Sequence, residues 1–341
     1  MLNRALSAGD VPAPPRLRRR ALLAAALAAP ARAEDAPRAA VAFANATDDP
    51  GARLEGTGFT GADVRGGFAL AARRMPFDLL FYDNRLDRAQ ALANARDAAA
   101  RRVAAFVLYG WDEAANAEIA RPLRDAGIPV LAVGRPVPGA PLYAADNGLA
   151  GRIAGDALAR FAAANWAGRS ITAVILGPPT GRGPLEERIA GIEAGLQPAA
   201  GAPVRLDSGG DPFKADAALR GFLASHGGQK VLVAALDDAS ALAAKAAADA
   251  SGRAGDVAIV GQGCDRSVHG NASERKELDP ANRGSIVLGS VAFFLDRWGY
   301  DALPLALALA SGQPVAPVTR TQHKLVTPAN AFVVYPPIDI N

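Results

Sequence analysis

Cysteine and histidine are scarce in the chain. Its 341 residues contain one cysteine, Cys264, and three histidines, His226, His269 and His323. A single cysteine excludes an intramolecular disulfide, and three scattered histidines do not have the spacing of a zinc site. We therefore expect no metal and no cofactor, and the sequence assigns Cys264 no role.

The sequence signatures of common enzyme classes are also missing. There is no Gly-x-Ser-x-Gly elbow, no phosphate-binding Walker loop and no helix with paired histidines. Gly61, Gly66 and Gly67 follow the first predicted strand, but their spacing does not match a dinucleotide-binding loop. The sequence therefore favours a binding protein that is not an enzyme.

Apolar runs long enough to cross a bilayer do not occur, and the apolar run at 21–29 has another explanation. Arginines at 16–20 precede it, and Ala31-Arg32-Ala33 follows as a small-x-small cleavage signature. The run is about half as long as the 20 residues that span a bilayer. Residues 1–33 are therefore predicted to be a signal peptide, with export to the periplasm. Arg19-Arg20 also fits a twin-arginine signal, so both export routes stay open.

The positive charge of the chain is concentrated in this segment. Residues 1–33 contain six arginines and one aspartate and carry +5, whereas the whole chain carries +3. The remainder is therefore net −2. Basic charge that belongs to an export signal gives no reason to expect nucleic acid as a partner.

From residue 38 onwards, short apolar runs alternate with longer amphipathic segments. Apolar runs without internal alternation are typical of strands that are buried on both faces, and strand–helix repetition requires a parallel sheet with crossover helices. Strands are predicted at 40–44, 78–82, 104–108, 129–133, 171–176, 230–235, 257–260 and 285–288, and helices at 62–74, 87–102, 113–126, 147–165, 184–197, 213–225, 238–250 and 293–310.

A proline-rich stretch at 136–146 divides these units into two sets. Four strand–helix units precede it and about four follow it. The count predicts an α/β protein with two doubly wound parallel-sheet lobes joined by a hinge. Open parallel sheets bind ligands beyond the carboxyl ends of their strands, so we expect a ligand cleft between the two lobes.

Five stretches in order resemble one family, the type I periplasmic binding proteins of sugar transporters, and in particular the ribose-binding group. They are DAGIPV at 125–130 followed by Gly134-Arg135, ADN at 145–147 with Gly151, LGPP at 176–179 with Arg188 and Gly191, AALDD at 234–238 with Ala241-Leu242, and IVG at 259–261. The resemblance covers about residues 38–335.

The resemblance implies two discontinuous lobes. Lobe one would comprise 35–145 and 292–317, and lobe two 146–291 and 318–341, with three hinge crossings that permit closure on a ligand. It also implies a monomer that captures a small sugar-like ligand and delivers it to the permease of an ABC transporter. Two alternatives stay open: a ligand sensor that docks on a receptor, and a binder of a small non-sugar molecule such as an alcohol.

Two charged residues are the leading candidates for ligand contact. In the resembled family an Asp-Arg pair at the end of the fourth strand binds sugar hydroxyls, and here Gly134 replaces the Asp while Arg135 is kept. Arginine offers five rigid donors for neighbouring oxygens. Asp237 stands at the family's Asn position and can accept hydroxyl hydrogen bonds, although it could also cap the next helix, a role that Asp238 fits better.

Further candidates follow from strand ends and from the resemblance. Asn45 and Asp83 end the first two predicted strands, where turn chemistry explains them equally well. Phe59 and Thr60 stand just before a helix, where the family often places an aromatic ring against the sugar. Phe293 and Gln262 lie near two further positions of the family's site.

Three departures from the family pattern affect the expected ligand. Glu186, Gly263 and the pair Phe293-Phe294 replace an arginine, an aspartate and two glutamines. Arg182, Gln262 and Asp265 are close enough in sequence to substitute for them. Fewer polar groups and two aromatic rings predict a ligand that is less polar than ribose.

Overall fold

The structure is a computed structural model that describes residues 38–178, 183–271 and 273–336. The signal peptide predicted at 1–33 lies outside the described residues. Within them, the strands form two six-stranded sheets, each of which makes one lobe together with the helices on its faces. None of the described helices is both long enough and apolar enough to cross a membrane.

Strands and helices alternate through most of the described chain. The strands are β1 (Ala40–Asn45), β2 (Asp78–Asp83), β3 (Ala105–Tyr109), β4 (Val130–Val133), β5 (Leu142–Ala144), β6 (Ile171–Gly177), β7 (Val204–Asp207), β8 (Lys230–Ala235), β9 (Val257–Gly263), β10 (Val287–Ala292), β11 (Val318–Arg320) and β12 (Lys324–Val326). The helices are α1 (Gly61–Ala72), α2 (Arg88–Ala100), α3 (Glu113–Ile119), α4 (Arg121–Asp125), α5 (Asn147–Asn165), α6 (Pro184–Leu196), α7 (Pro212–Ser225), α8 (Asp238–Ala250), α9 (Trp298–Ala310) and α10 (Ala331–Val334).

The sheet of lobe one is parallel throughout, with the strand order β11-β5-β4-β3-β1-β2. In β1, Val41 and Phe43 pack in the apolar cluster that contains residues of α1 and α9. Ala42 and Ala44 pack in the cluster that contains residues of α2. Because both faces are covered, β1 has an uninterrupted apolar sequence.

The sheet of lobe two has the strand order β12-β10-β9-β8-β6-β7. Its neighbouring strands are parallel except for β12, which runs antiparallel to β10 at the edge. In β8, Leu232 and Ala234 face the side of α5 and α6, and Val231 and Val233 face the side of α7 and α8. The prediction of two doubly wound parallel-sheet lobes is confirmed, with one antiparallel edge strand added.

The chain passes between the lobes three times. It crosses between β5 and α5, between β10 and α9, and between β11 and β12. The resemblance assigned residues from 318 onwards to lobe two, but Val318–Arg320 pair with Leu142–Ala144 in the sheet of lobe one. The last crossing therefore lies at 321–323.

Several predicted elements differ in extent from the structure. The helix expected at 113–126 is interrupted at Ala120, because Pro122 cannot donate to the carbonyl four residues earlier and its ring clashes with that group. The helix expected at 293–310 begins at Trp298, after Phe294 adopts a left-handed φ of 54° and a 3₁₀ turn follows. The strand expected at 285–288 lies at Val287–Ala292.

Glycines allow α5 and α6 of lobe two to approach closely. A Cβ atom on Gly151 would lie 1.9 Å from the backbone oxygen of Arg188, and one on Gly191 would lie 2.2 Å from the backbone oxygen of Gly148. A larger residue at either position would force the two helices apart. This contact fixes Arg188 against the start of α5.

Candidate functional site

A hairpin at residues 53–60 follows β1, and we call it the cleft hairpin. The Leu54 backbone N–H donates to the Phe59 carbonyl at 2.8 Å, and the Thr57 N–H donates to the Leu54 carbonyl at 2.9 Å. Glu55 and Gly56 have φ values of 54° and 60°, in the left-handed region that suits glycine and that a glutamate rarely adopts. The turn places Glu55 at the tip of the hairpin.

The cleft hairpin lies between the lobes because lobe two contacts it directly. Arg188 of α6 donates from Nη2 to the Glu55 carbonyl at 2.8 Å and from Nη1 to the Gly56 carbonyl at 3.1 Å. A Cβ atom on Gly58 would lie 2.0 Å from Oδ2 of Asp265, which follows β9. The hairpin is therefore part of lobe one in sequence and part of the interface between the lobes in space.

Arg188 is fully buried at this interface. Besides the hairpin carbonyls, it donates to Oδ1 of Asn147 at 2.8 and 3.0 Å and to the Leu236 carbonyl at 2.9 Å. Its guanidinium carbon lies 4.3 Å from the ring centroid of Phe293. Burial lowers the pKa of Arg188 to about 10, so the side chain remains charged at neutral pH.

On the lobe-one side, the Glu55 carboxylate contacts two residues at the carboxyl edge of the sheet. The Tyr109 hydroxyl donates to Glu55 Oε1 at 3.1 Å, and Arg135 Nη1 lies 3.5 Å from Glu55 Oε2. Burial and the Glu55 charge raise the pKa of Tyr109 well above its usual value, so the hydroxyl stays a neutral donor. The Glu55 side chain is only 5% exposed, against 29% for Arg135. Arg135 therefore has a partner within the protein.

A cavity of about 250 Å³ lies between the lobes beside the hairpin. Both lobes contribute polar and charged groups to its wall, and one aromatic residue, Phe59, lies among them. The wall is formed by Arg53, Gly58, Phe59 and Asp63 from lobe one and by Asp237, Ala239, Asp265, Arg266 and Ser267 from lobe two. Of the eight residues predicted to contact ligand, the structure brings Phe59 and Asp237 to this cavity.

Asp237 has two roles at the cavity. It is the N-cap of α8, where Oδ1 accepts from the Ser240 backbone N–H at 2.7 Å and Oδ2 accepts from the Ser240 hydroxyl at 3.1 Å. The expectation that Asp238 fits the capping position better is therefore wrong. Burial raises the pKa of Asp237. A carboxylate has about four acceptor sites, so Asp237 can still accept hydrogen bonds from a ligand.

Asp238, next to it, is fully buried beneath the cavity wall. Its Oδ1 accepts from the Ser290 hydroxyl at 2.5 Å, and its Oδ2 accepts from the Asp265 backbone N–H at 3.0 Å. Burial, and after it the negative charge of Asp265, raise the pKa of Asp238 well above its usual value. The folded protein therefore holds this proton at a pH where the unfolded chain releases it.

The raised pKa predicts a pH dependence of stability that Asp238→Asn removes. As the pH rises from the ordinary carboxyl range towards the raised pKa, the unfolded chain binds fewer protons than the folded one, so the free energy of unfolding falls. Urea unfolding at pH 5 and at pH 8 measures this fall. Between the two pH values, the free energy of unfolding should fall more in the native protein than in Asp238→Asn, whose amide resembles the protonated acid. Equal losses in the two proteins would contradict the assignment.

Three other predicted site residues organise loops at the carboxyl edge of lobe one and do not line the cavity. The buried Asn45 donates from Nδ2 to the carbonyls of Thr47 and Gly61, at 2.7 and 2.9 Å. Asp83 accepts from the backbone N–H of Asp48 at 3.0 Å. Thr60 forms a reciprocal capping box with Asp63 at the start of α1. Their ligand contacts stay predictions.

The last two predicted residues are buried away from the cavity wall. Gln262 has no exposed surface, and neither polar atom of its amide has a partner among the described residues. Phe293 lies under Arg188, and Phe294 lies 4.9 Å from the Arg297 guanidinium. Neither ring lines the cavity beside the hairpin, and both line a separate cavity beside α9. Ligand contact by Phe293 and a ligand less polar than ribose stay predictions. Arg182 lies outside the described residues.

Sequence reasoning did not identify several residues of the site. Arg53, Asp63, Arg266 and Ser267 line the cavity, and Glu55 and Arg188 hold the hairpin. The unusual length and glycine content of the loop at 46–61 were the available signal for Arg53 and Glu55. Arg188 was already part of the family motif, but nothing in the sequence indicated that it reaches the opposite lobe.

Comparison with known proteins agrees with this architecture. Residues 55–314 match the family model described as a periplasmic binding protein domain, and the chain therefore belongs to that family. The resemblance stated from the sequence is confirmed. A search of curated proteins finds no match.

Solved structures of solute-binding proteins share the fold. An ABC transporter solute-binding protein from Bacillus halodurans with bound myo-inositol has 18% identity and a TM-score of 0.63, and the match covers 88% of this chain and 98% of that one. One from Actinobacillus succinogenes with bound D-allose has 16% identity, a TM-score of 0.65 and coverage of 87% and 99%. A glucose-galactose binding protein from Geobacillus stearothermophilus has 17% identity, a TM-score of 0.62 and coverage of 86% and 98%.

Proposed function

We propose that this chain is an exported solute-binding protein that holds one sugar or polyol between its lobes and delivers it to an ABC transporter permease. The observation that carries the proposal is the cavity between the lobes, to which each lobe contributes charged side chains. A ligand that contacts both walls would stabilise the closed arrangement of the lobes, which is how hinged two-lobe proteins capture solutes.

The chemistry of the wall suits a polyhydroxylated ligand. Asp237 and Asp265 can accept hydroxyl hydrogen bonds, while Arg53 and Arg266 can donate them. Phe59 offers an apolar surface to the C–H groups of a sugar ring. The volume of about 250 Å³ is below the range of about 300–1,000 Å³ that holds drug-sized ligands, so it suits a single monosaccharide or cyclic polyol.

The relatives support the same ligand class and the absence of catalysis. The solved structures named above are solute-binding proteins whose ligands, where stated, are a cyclic polyol and hexoses. Three parts of the proposal rest on family membership and on the sequence of residues 1–33. They are the transfer of the solute to a permease, action as a monomer and location in the periplasm.

A thermal-shift panel tests the proposal. Protein beginning at residue 34 is heated with single sugars and polyols, with small aromatic alcohols as competing candidates and free amino acids as negative controls. A cognate ligand at 100 times its dissociation constant adds about 2.7 kcal/mol to the free energy of unfolding, which raises the melting temperature by several degrees. A panel in which only aromatic alcohols or amino acids raise the melting temperature would contradict the proposal.

A further inference from the structure

His323 lies in the third hinge crossing and is linked by hydrogen bonds to the other two. Its Nδ1 lies 3.0 Å from the carbonyl oxygen of Ala292, where β10 ends and the second crossing begins. Its Nε2 lies 3.0 Å from Oγ1 of Thr321, in the same crossing as His323. That oxygen accepts from the backbone N–H of Asp146 in the first crossing, at 3.3 Å. One chain of hydrogen bonds therefore joins the three crossings.

The acceptors in this chain define the protonation state of the ring. A carbonyl oxygen can only accept, so Nδ1 of His323 carries a proton and donates to Ala292. In a neutral imidazole the other nitrogen is then an acceptor, so the Thr321 hydroxyl donates to Nε2. The Thr321 oxygen keeps a lone pair for the N–H of Asp146. Every hydrogen bond of the chain is satisfied when His323 is neutral.

A second proton on His323 would disrupt the chain. Nε2 would become a donor, and the hydroxyl of the buried Thr321 would lose its acceptor. Burial lowers the pKa of His323 below its ordinary value, and the charge of Arg188 on α6 lowers it further. The hydrogen bond to Ala292 and the charge of Asp146 act in the opposite direction without cancelling these effects. The folded protein therefore favours the neutral ring.

The ring of Phe293 connects His323 with the contact between the lobes. Its centroid lies 4.5 Å from that of the His323 ring and 4.3 Å from the guanidinium carbon of Arg188. Arg188 donates to two carbonyls of the cleft hairpin and so holds lobe two against lobe one. A proton on His323 would place a second positive charge near that of Arg188, and the two charges repel each other.

We propose that His323 is a positioning residue of the hinge: while neutral, it fixes the three crossings in the arrangement that binds solute, and its protonation in acid weakens binding. The inference rests on the proposed function and adds a regulation of the same site by pH. A ligand that contacts both cavity walls binds one arrangement of the lobes, so its affinity falls by the factor by which that arrangement becomes less populated.

Acid should lower the affinity. The arrangement with the intact chain takes up a proton less readily than one in which the crossings have separated, because in the intact chain the ring is buried near Arg188. Protons therefore favour the separated crossings as the pH falls below the ordinary pKa of histidine, about 6.5. One coupled proton can change the affinity by up to about tenfold per pH unit in that range.

Calorimetry at pH 7.5 and pH 5.5 tests this role, with myo-inositol, D-allose, D-glucose and the best sugar or polyol of the panel as probes. His323→Gln supplies the comparison, because its amide oxygen can accept from the Thr321 hydroxyl but cannot take up a proton. At pH 7.5 this variant should bind within threefold of native protein. The ratio of the affinities at pH 7.5 and pH 5.5 should be at least threefold larger in native protein than in His323→Gln. Other titratable groups of the site, such as Asp237, are the same in both proteins.

Two further variants separate this role from a structural one. His323→Ala removes both hydrogen bonds of the ring, so it should bind at least threefold more weakly than native protein at pH 7.5 and should have the affinity ratio of His323→Gln. His226→Gln is the matched control. Nδ1 of His226 lies 2.9 Å from the carbonyl oxygen of Phe222, at the end of α7 and outside the three crossings. This variant should keep the native affinity and the native ratio.

The outcomes distinguish this inference from the proposed function. A native affinity ratio less than threefold above that of His323→Gln, or native affinity in His323→Ala, would overturn the role of His323. Binding of a sugar or polyol by the native protein would in either case leave the proposed function intact. No binding of any of these probes by the native protein would overturn the proposed function, and this inference with it.

Discussion

Replacing Arg188 with alanine should lower the free energy of unfolding by at least about 3 kcal/mol. The side chain is fully buried and donates to four different acceptors, three of them backbone carbonyls of Glu55, Gly56 and Leu236. Each buried acceptor left without a donor costs about 1–3 kcal/mol. Truncation would also leave a cavity over Phe293.

Urea unfolding of Arg188→Ala measures this loss, with two comparisons. Arg188→Lys keeps a positive charge, but one amine replaces the three nitrogens with which Arg188 donates, so its stability should fall between that of native protein and that of Arg188→Ala. Arg220→Ala removes an exposed arginine from a surface pair with Asp216 on α7 and should change stability by no more than about 0.5 kcal/mol. An Arg188→Ala protein within about 1 kcal/mol of native would show that the interface contacts contribute little.

Replacing Asp237 should weaken ligand binding at least tenfold. A hydrogen bond to a charged group contributes about 1.5–3 kcal/mol, and about 1.4 kcal/mol corresponds to a factor of ten in affinity. Because Asp237 also caps α8, Asp237→Ala should lose about 0.5–2 kcal/mol of stability even without ligand. Asp237→Ser keeps an N-cap and removes the carboxylate, so it should lose affinity while retaining most of the stability.

Asp211 provides the matched control for these variants. It caps α7 through hydrogen bonds to the backbone N–H groups of Phe213 and Lys214, and it does not line the cavity. Asp211→Ala should lose stability as Asp237→Ala does, and Asp211→Ser should keep most of it. Both Asp211 variants should bind the ligand with native affinity. Calorimetry with the best ligand of the panel makes the comparison. Native affinity in both Asp237 variants would show that Asp237 does not contact the ligand.

The fold could be predicted wherever burial on both faces produces a continuous apolar run. β1, β3 and β8 have such runs because helices cover both sides of their sheets. β5, β11 and β12 have only three residues each, and β7 is largely exposed at an edge with polar and apolar residues alternating. These strands have no comparable run, so the sequence did not indicate them.

The candidate site was less predictable because its geometry depends on contacts between distant segments. Asp237 and Phe59 could be named from the family resemblance, which places ligand contacts after a strand and before a helix of this kind of sheet. The cleft hairpin could not be placed, since its position depends on Arg188 and Asp265, both more than 100 residues away in sequence. The same contacts place Glu55 against Arg135, a pairing that the sequence did not indicate. Ligand contact by Arg135 stays a prediction.

A crystal structure of the protein with the best sugar or polyol of the panel tests the central claim most directly. The account predicts one ligand molecule in the cavity between the lobes, with hydroxyl groups bound to Asp237 of lobe two and to Arg53 of lobe one, and with Glu55 still paired with Arg135. A ligand bound to one lobe alone, or at a site outside this cavity, would contradict it.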